Sequence, residues 1–197
     1  MGARSGKLKS NSTEANILFL GLNLSGKSSV IKSLAKGDCS HHQVQQLTST
    51  KGQSIVKLNR AGFQFNCYDL GGSAEEQSTW EAYYGKAHAV VLVIDSTDRT
   101  KFEKAGLLLQ RIVGHPKLAG LPLLILAHKQ DILDSISGRE LTDGLNCSQI
   151  KGRMWQVTQT SAVTGRGLNV ALSWLTTSMA EIALSQKEIR NAKHSVR

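Results

Sequence analysis

Residues Gly21 to Ser28 read Gly-Leu-Asn-Leu-Ser-Gly-Lys-Ser, and this octet fits GxxxxGK[ST]. It directly follows the strand-like run Asn-Ile-Leu-Phe-Leu (16–20) and precedes the helix-like Ser-Val-Ile-Lys-Ser-Leu-Ala-Lys (29–36). A chain that must end a buried strand, turn sharply through glycines and restart at once as a helix is committed to an α/β layer arrangement. The chemistry of such a turn is a phosphate cradle. Its backbone N–H groups and the partial positive charge of the helix N-terminus face the phosphate oxygens. Lys27 neutralises the β and γ phosphates, and the Ser28 hydroxyl ligates magnesium.

The rest of the chain repeats the alternation. Ala89–Ile94 and Leu121–Ala127 are short, nearly continuous apolar runs, as strands buried on both faces should be, and a weaker strand lies near Met154–Gln159. Ile55, Val56 and Leu58 precede an Ala61-Gly62 turn, after which Phe63, Phe65 and Cys67 alternate with polar residues, which reads as a hairpin with one buried face. Leu168, Leu172, Leu175, Met179 and Ile182 fall on one helical stripe and are expected in the core. The expectation is a P-loop NTPase fold, a mostly parallel six-stranded sheet with helices on both faces. Loose stretches are expected in the first fifteen residues, at Lys36–Lys51 and in the last ten.

The formal charge is +9, and residues 1–16 and 181–197 hold seven bases against three acids, so nearly half of the excess lies near the two ends. Basic segments of this kind suit either plain solubility or contact with anionic surfaces. Cys39, Cys67 and Cys147 are widely spaced and form no CxxC pair, which argues against a disulfide framework or a zinc site and fits a reducing compartment. His41 and His42 have no ligand-spaced partners and read as solvated loop residues. No apolar run approaches the roughly 18 residues that span a bilayer. Gly2 meets one requirement for myristoylation, but Gly6 stands where Ser or Thr is preferred.

Three further motifs follow the ends of strands. Asp69-Leu70-Gly71-Gly72 offers a carboxylate for a magnesium-bound water and a Gly72 N–H for a γ-phosphate. His128-Lys129-Gln130-Asp131 and Ser161-Ala162 address a base. The Asp131 carboxylate accepts from guanine N1–H and the 2-amino group, which adenine cannot supply, and a buried unpaired carboxylate penalises the wrong base. Lys129 would lie along the base, and the Ala162 N–H would meet guanine O6.

The order GLNLSGKSS, TSTKG, DLGG, HKQD, SAVTGRG resembles the small GTPases of the ADP-ribosylation factor family over about residues 16–180, most closely the third Arf-like type. The resemblance implies a small G-protein fold over 16–184, between a basic flexible segment at 1–15 and a basic tail at 185–197. It implies that GTP or GDP with Mg2+ is held by Asn23, Leu24, Ser25, Gly26, Lys27, Ser28, Ser29, Thr50, Asp69, Gly72, His128, Lys129, Asp131, Ser161, Ala162 and Val163. Ser28 and Thr50 are the implied metal ligands, and Gly72, Thr50 and Ser73 the implied catalytic positions. Effectors, exchange factors and GTPase-activating proteins would bind through residues 45–56 and 70–85, with peripheral membrane contact and no nucleic acid beyond the nucleotide. Trp80, Tyr83 and Tyr84 are open between core and effector surface, with Tyr83 favoured as the effector contact. The implied setting is cytoplasmic, with the membrane periphery, the cilium and microtubules left open.

Three departures qualify that pattern. Ser73 replaces the glutamine that orients the attacking water and is too short to do so, which predicts very slow hydrolysis. His128 replaces the asparagine of the base motif, which predicts weakened affinity with guanine preference kept. Lys27 and Thr50 lie further apart than the family pattern, and Gln53 stands in place of an effector-contacting phenylalanine. The expected function is a guanine-nucleotide switch of intracellular or ciliary trafficking with weak hydrolysis; the alternative is a non-hydrolysing scaffold. A small-molecule kinase or ATPase is disfavoured by Asp131 and by the lack of an Arg-rich lid.

Overall fold

The computed structural model describes residues 13–36, 46–49, 53–60 and 62–194. Its strands are β1 (Thr13–Leu20), β2 (Gln46–Ser49), β3 (Gln53–Arg60), β4 (Phe63–Leu70), β5 (Ala89–Asp95), β6 (Leu123–His128) and β7 (Trp155–Gln159). The α-helices are α1 (Lys27–Lys36), α2 (Ala74–Gln77), α3 (Glu81–Tyr84), α4 (Phe102–Gly114), α5 (Gly138–Gly144) and α6 (Leu168–His194). The sheet order is β2-β3-β4-β1-β5-β6-β7, antiparallel within β2-β3-β4 and parallel from β4 onward.

All six expected strands are present, and their continuous apolar runs have a simple cause. Along β1, Ile17 and Phe19 face one layer with Val30, Ile31, Leu168, Leu172, Leu175 and Met179 from α1 and α6. Leu18 and Leu20 face the other, with Trp80, Leu108, Ile112 and Leu141. Successive side chains of a strand point to opposite faces, so a sheet covered on both sides needs apolar residues at every position. The stripe on α6 is core as expected, with Ile182 half-buried at its far end.

Three boundaries differ from expectation. A seventh strand, β2, lies within the stretch Lys36–Lys51 expected to be loose, and its pairing runs from Gln46↔Val56 to Ser49↔Gln53. Gln-Leu-Thr-Ser carries little apolar signal, and an edge strand needs little, because its backbone pairing alone defines it. β1 begins at Thr13 rather than after residue 15, drawn in by pairing with Phe63 and by the Thr13 N–H donating to the Gly62 carbonyl at 3.0 Å. At the other end α6 continues without a break past residue 184 to His194, although the last ten residues were expected to be loose. That segment is built from strong helix formers and contains no Gly or Pro.

β1 leads to α1 and its chain goes on to β4 on one side, whereas β5 lies on the other, so the turn after β1 is the topological switch point of the sheet. Ligands of open parallel sheets bind there, at the carboxyl ends of the strands. The segments that follow β1, β4, β5, β6 and β7 all emerge at this edge.

Candidate functional site

The loop after β1 is held by backbone conformations that few side chains tolerate. Gly21 has φ 152° and Gly26 φ 98°. A Cβ on Gly21 would collide with the Val93 carbonyl oxygen of β5, and one on Gly26 would come within 2.5 Å of His128 Cδ2. Helix α1 starts immediately, with the Val30 N–H donating to the Gly26 carbonyl at 2.9 Å. Lys27 is buried, and its ammonium folds back to donate to the carbonyls of Gly21 and Leu22, each at 3.0 Å. Burial holds Lys27 below the ordinary lysine value, while the negative charges of Asp69 and Glu76 pull it back up.

At the end of β4 the Asp69 carboxylate accepts from the Ser28 hydroxyl at 2.5 Å. Burial pushes the Asp69 carboxyl up from the usual range, opposed by the Ser28 hydrogen bond and by the charges of Lys27 and Lys32. Two hard oxygen donors of the kind magnesium selects are thus side by side at the mouth of the loop. Gly72 is buried against the loop: a Cβ there would stand 2.6 Å from the Gly21 oxygen and 2.6 Å from Lys27 Nζ. The Gly71 carbonyl accepts from the Trp80 indole N–H at 2.8 Å, and that of Gly72 from the Gln77 side-chain amide at 2.9 Å.

Ser73 does not aim at this cavity as a water-orienting residue would. It caps α2: its hydroxyl accepts from the Glu76 N–H at 3.2 Å, and its own N–H donates to Glu76 Oε2 at 2.9 Å. This reciprocal pair is a capping box.

The motif His128 to Asp131, expected to address a base, stands at the end of β6. His128 is buried, its ring set against Gly26 and its Nδ1 3.0 Å from the Thr160 hydroxyl. Burial first, and then the Lys129 charge, holds His128 below the ordinary histidine value, so the ring is neutral at pH 7. Lys129, in a left-handed conformation at φ 65°, ion-pairs with Asp95 at 2.5 Å. Asp131 is exposed, and a hydrogen bond from the Ser161 side chain is the main cause of its lowered carboxyl pKa. The Ser161 hydroxyl also accepts from the N–H groups of Val163 and Thr164, both at 3.2 Å, which shapes the turn that carries Ala162. Val163 is 84% exposed.

A cavity of about 670 Å3 connects these pieces, lined by Asn23, Leu24, Gly26, Lys27, Ser28 and Ser29 from the loop and α1, by Asp69 to Gly72, and by Lys129 from the base side. Two members of this neighbourhood escaped the sequence reading. Asp95 ends an otherwise apolar strand on the ligand edge, and a carboxylate in that place was a usable signal. Glu76 lines the cavity, and its only sequence signal was the Ser-x-x-Glu spacing from Ser73, which announces a helix start and not a place at the site. Thr50 lies outside the described residues, as do His41 and His42, and of Gln53 only the backbone is described. Among the described residues no group of three or more His, Cys, Asp or Glu is placed to hold a metal ion. Cys67 and Cys147 are free and buried.

The sequence profile of the ADP-ribosylation factor family matches residues 2–179. The chain belongs to that family. Relatives include ADP-ribosylation factor-like protein 3 of Chlamydomonas reinhardtii, 33% identical over 85% of this chain and 92% of the relative. The protein of the same name from Caenorhabditis elegans is 32% identical over 84% of this chain and 88% of the relative. The expected likeness to the third Arf-like type is therefore borne out. Among solved structures, the Arl6 BBS3 small GTPase of Trypanosoma brucei with the bound nucleotide analogue GppNp superposes with a TM-score of 0.75 at 22% identity. That match covers 86% of this chain and 99% of the other, and it shows the fold. Membership carries the coarse function: a GTP-binding switch of the small GTPase class, whose partners as a class are effectors, exchange factors and GTPase-activating proteins. No helix of the described residues is long and apolar enough to cross a membrane.

The family frame sorts the aromatic residues of the 70–85 segment. Trp80 is 0% exposed and Tyr84 is buried, so both are core. Tyr83 is half-exposed, and its ring is tilted against that of Tyr68 at 5.8 Å.

Proposed function

We propose that this Arf-family chain is a guanine-nucleotide switch that binds effectors in its GTP state and hydrolyses GTP very slowly. The observation that carries the reading is the capping box. Ser73 is committed to Glu76 and to α2, so the position that should orient an attacking water instead caps the start of a helix. Phosphoryl transfer is catalysed by positioning and charge stabilisation, and loss of the positioning side chain removes rate without removing binding.

The residues fit the nucleotide. In this reading Asn23 to Ser29 cradle the phosphates, with Lys27 as the counter-charge, and Ser28 and Thr50 would hold Mg2+ beside Asp69, the ion adding positive charge at the phosphate oxygens. Gly72 offers its N–H, His128 ties the base motif to the loop, Lys129 lies along the base, and Asp131 with Ser161, Ala162 and Val163 selects guanine. A domain that runs from β1 through α6, wider than the expected 16–184, effector and regulator surfaces at 45–56 and 70–85, and a cytoplasmic role in intracellular or ciliary trafficking complete the proposal. The basic segments supply peripheral membrane contact. The likeness to the third Arf-like type supports the trafficking role.

A non-hydrolysing scaffold is the second reading, favoured by the same serine. One experiment separates them: identify the nucleotide retained by purified protein, then follow a single turnover of bound GTP. Slow conversion supports the switch, none at all supports the scaffold, and hydrolysis as fast as in glutamine-bearing relatives would overturn both.

A further inference from the structure

Glu76 has a place at the site that its sequence position does not announce. Its carboxylate stands over Gly71 so closely that a Cβ on that glycine would collide with the carboxylate carbon and with Oε1. The next residue, Gly72, in turn lies against the phosphate loop at Lys27 Nζ. The carboxylate is not a free surface group that happens to point inward, because the Ser73 N–H holds it at 2.9 Å and the Glu76 N–H is itself held by the Ser73 hydroxyl. The Ser73 N–H bond keeps Glu76 ionised, below the usual carboxylate range. Among the described residues, two cations, Lys27 and Lys129, and two carboxylates, Asp69 and Glu76, line the cavity. Glu76 thus adds a second negative charge to the wall that faces Lys27, whose ammonium feels it.

The geometry points to Glu76 as a nucleotide-state selector: held by Ser73 on the Gly71–Gly72 wall beside Lys27, its carboxylate opposes the additional negative charge of a γ-phosphate, so the resting chain favours GDP over GTP. GTP is accommodated when the capping box opens and Glu76 swings out, which couples the start of α2 to the nucleotide. Like charges facing one another across the cleft repel, most strongly at low salt, and opening the cap removes two hydrogen bonds at once. The inference rests on the nucleotide-binding reading and adds to it the residue that discriminates the two nucleotides.

The test compares affinities for GDP and GTP, each with Mg2+, in the full chain and two variants. Glu76→Gln keeps the capping box, since glutamine serves at that helix position, and removes the charge. Glu75→Gln makes the same change in net charge at an exposed neighbour. The expected result is that Glu76→Gln raises GTP affinity relative to GDP about tenfold, that added salt shrinks the difference, and that Glu75→Gln leaves the ratio within about twofold. An unchanged ratio in Glu76→Gln, or an equal shift in Glu75→Gln, would overturn the selector while leaving nucleotide binding intact. Failure of wild type and Glu76→Gln alike to bind either nucleotide would instead overturn the binding reading, and the selector with it.

Discussion

The two ends of the proposed nucleotide cavity each depart from the expected family pattern, at His128 and at Ser73, and they differ in what the departing side chain does. At the base end, His128 spans the gap from β6 to the phosphate loop: its ring meets Gly26, and its Nδ1 meets Thr160. At the phosphate end, Ser73 turns away into a helix cap with Glu76. A structural tie can be remade by any side chain that reaches and is satisfied at both ends. A positioning role in chemistry has stricter geometry, and a short hydroxyl engaged elsewhere does not fill it.

The largest expected effect addresses the uncompensated end. Ser73→Gln should raise the single-turnover rate of GTP hydrolysis about a hundredfold, the lower range of what a positioned polar side chain contributes. It should also lower stability by about 1 kcal/mol, because the helix loses a good N-cap. Rapid-quench measurement with bound GTP checks the rate. An unchanged rate would mean that the phosphate end lacks more than a glutamine, and the contrast between the two ends would collapse into one of general decay.

The compensated end predicts smaller numbers. His128→Ala should weaken guanine-nucleotide binding about thirtyfold and destabilise the fold by about 2–3 kcal/mol, because it leaves a void against Gly26 and removes the ring partner of Thr160. His128→Asn should raise affinity by no more than about tenfold, since the histidine supplies the tie but not an amide contact to the base. Titration calorimetry with GDP decides this; a far larger gain in the asparagine variant would show that His128 compensates for nothing.

Protonation tests the same contact. The folded chain holds His128 below its ordinary value of 6.5, so the native state prefers the neutral ring. The associated stability is fully present above the unfolded pKa and is lost as pH falls below it, because the unfolded chain then binds the proton more readily. Chemical denaturation at a series of pH values should therefore show wild type losing stability relative to His128→Asn below about pH 6.5, by at most about 1.4 kcal/mol per pH unit. Parallel curves would place the ring in contact with solvent rather than against Gly26.

How legible all this was depended on sequence distance. The phosphate loop could be read directly because its eight residues are consecutive, and the parallel strands because burial on both faces writes apolar residues at every position. The core stripe from Leu168 to Met179 was legible because burial of one helix face repeats apolar residues at spacings of three and four. What was not legible was long-range or carried by the backbone. The His128 contact with Gly26 and the Lys129–Asp95 pair are choices of tertiary packing that no local pattern encodes. β2 is defined by pairing with β3 and has almost no apolar signature. The capping box is written in the sequence as Ser-x-x-Glu, but its consequence appeared only when Glu76 was found over Gly71. The extension of α6 to His194 was hidden because a charged, apolar-poor segment reads equally well as a tail or as an exposed helix.

The smallest prediction concerns the loop shared by both ends. Leu24 sits at φ 63° and is 73% exposed, so a γ-branched side chain occupies a left-handed conformation with little packing to offset it. Such a conformation costs a non-glycine residue about 1 kcal/mol, and asparagine bears it more easily than leucine. Leu24→Asn should therefore stabilise the chain by about 0.5–1 kcal/mol in denaturant titration, with GDP affinity unchanged or slightly raised. The comparison sharpens either way. A gain shows that the loop geometry is imposed by its surroundings, by Gly21 against Val93 and Gly26 against His128, and that Leu24 is carried along in strain. No gain, or a loss, would show that the leucine side chain does something for the loop, and the phosphate cradle would then join His128 as a place where an unusual residue has been fitted rather than tolerated.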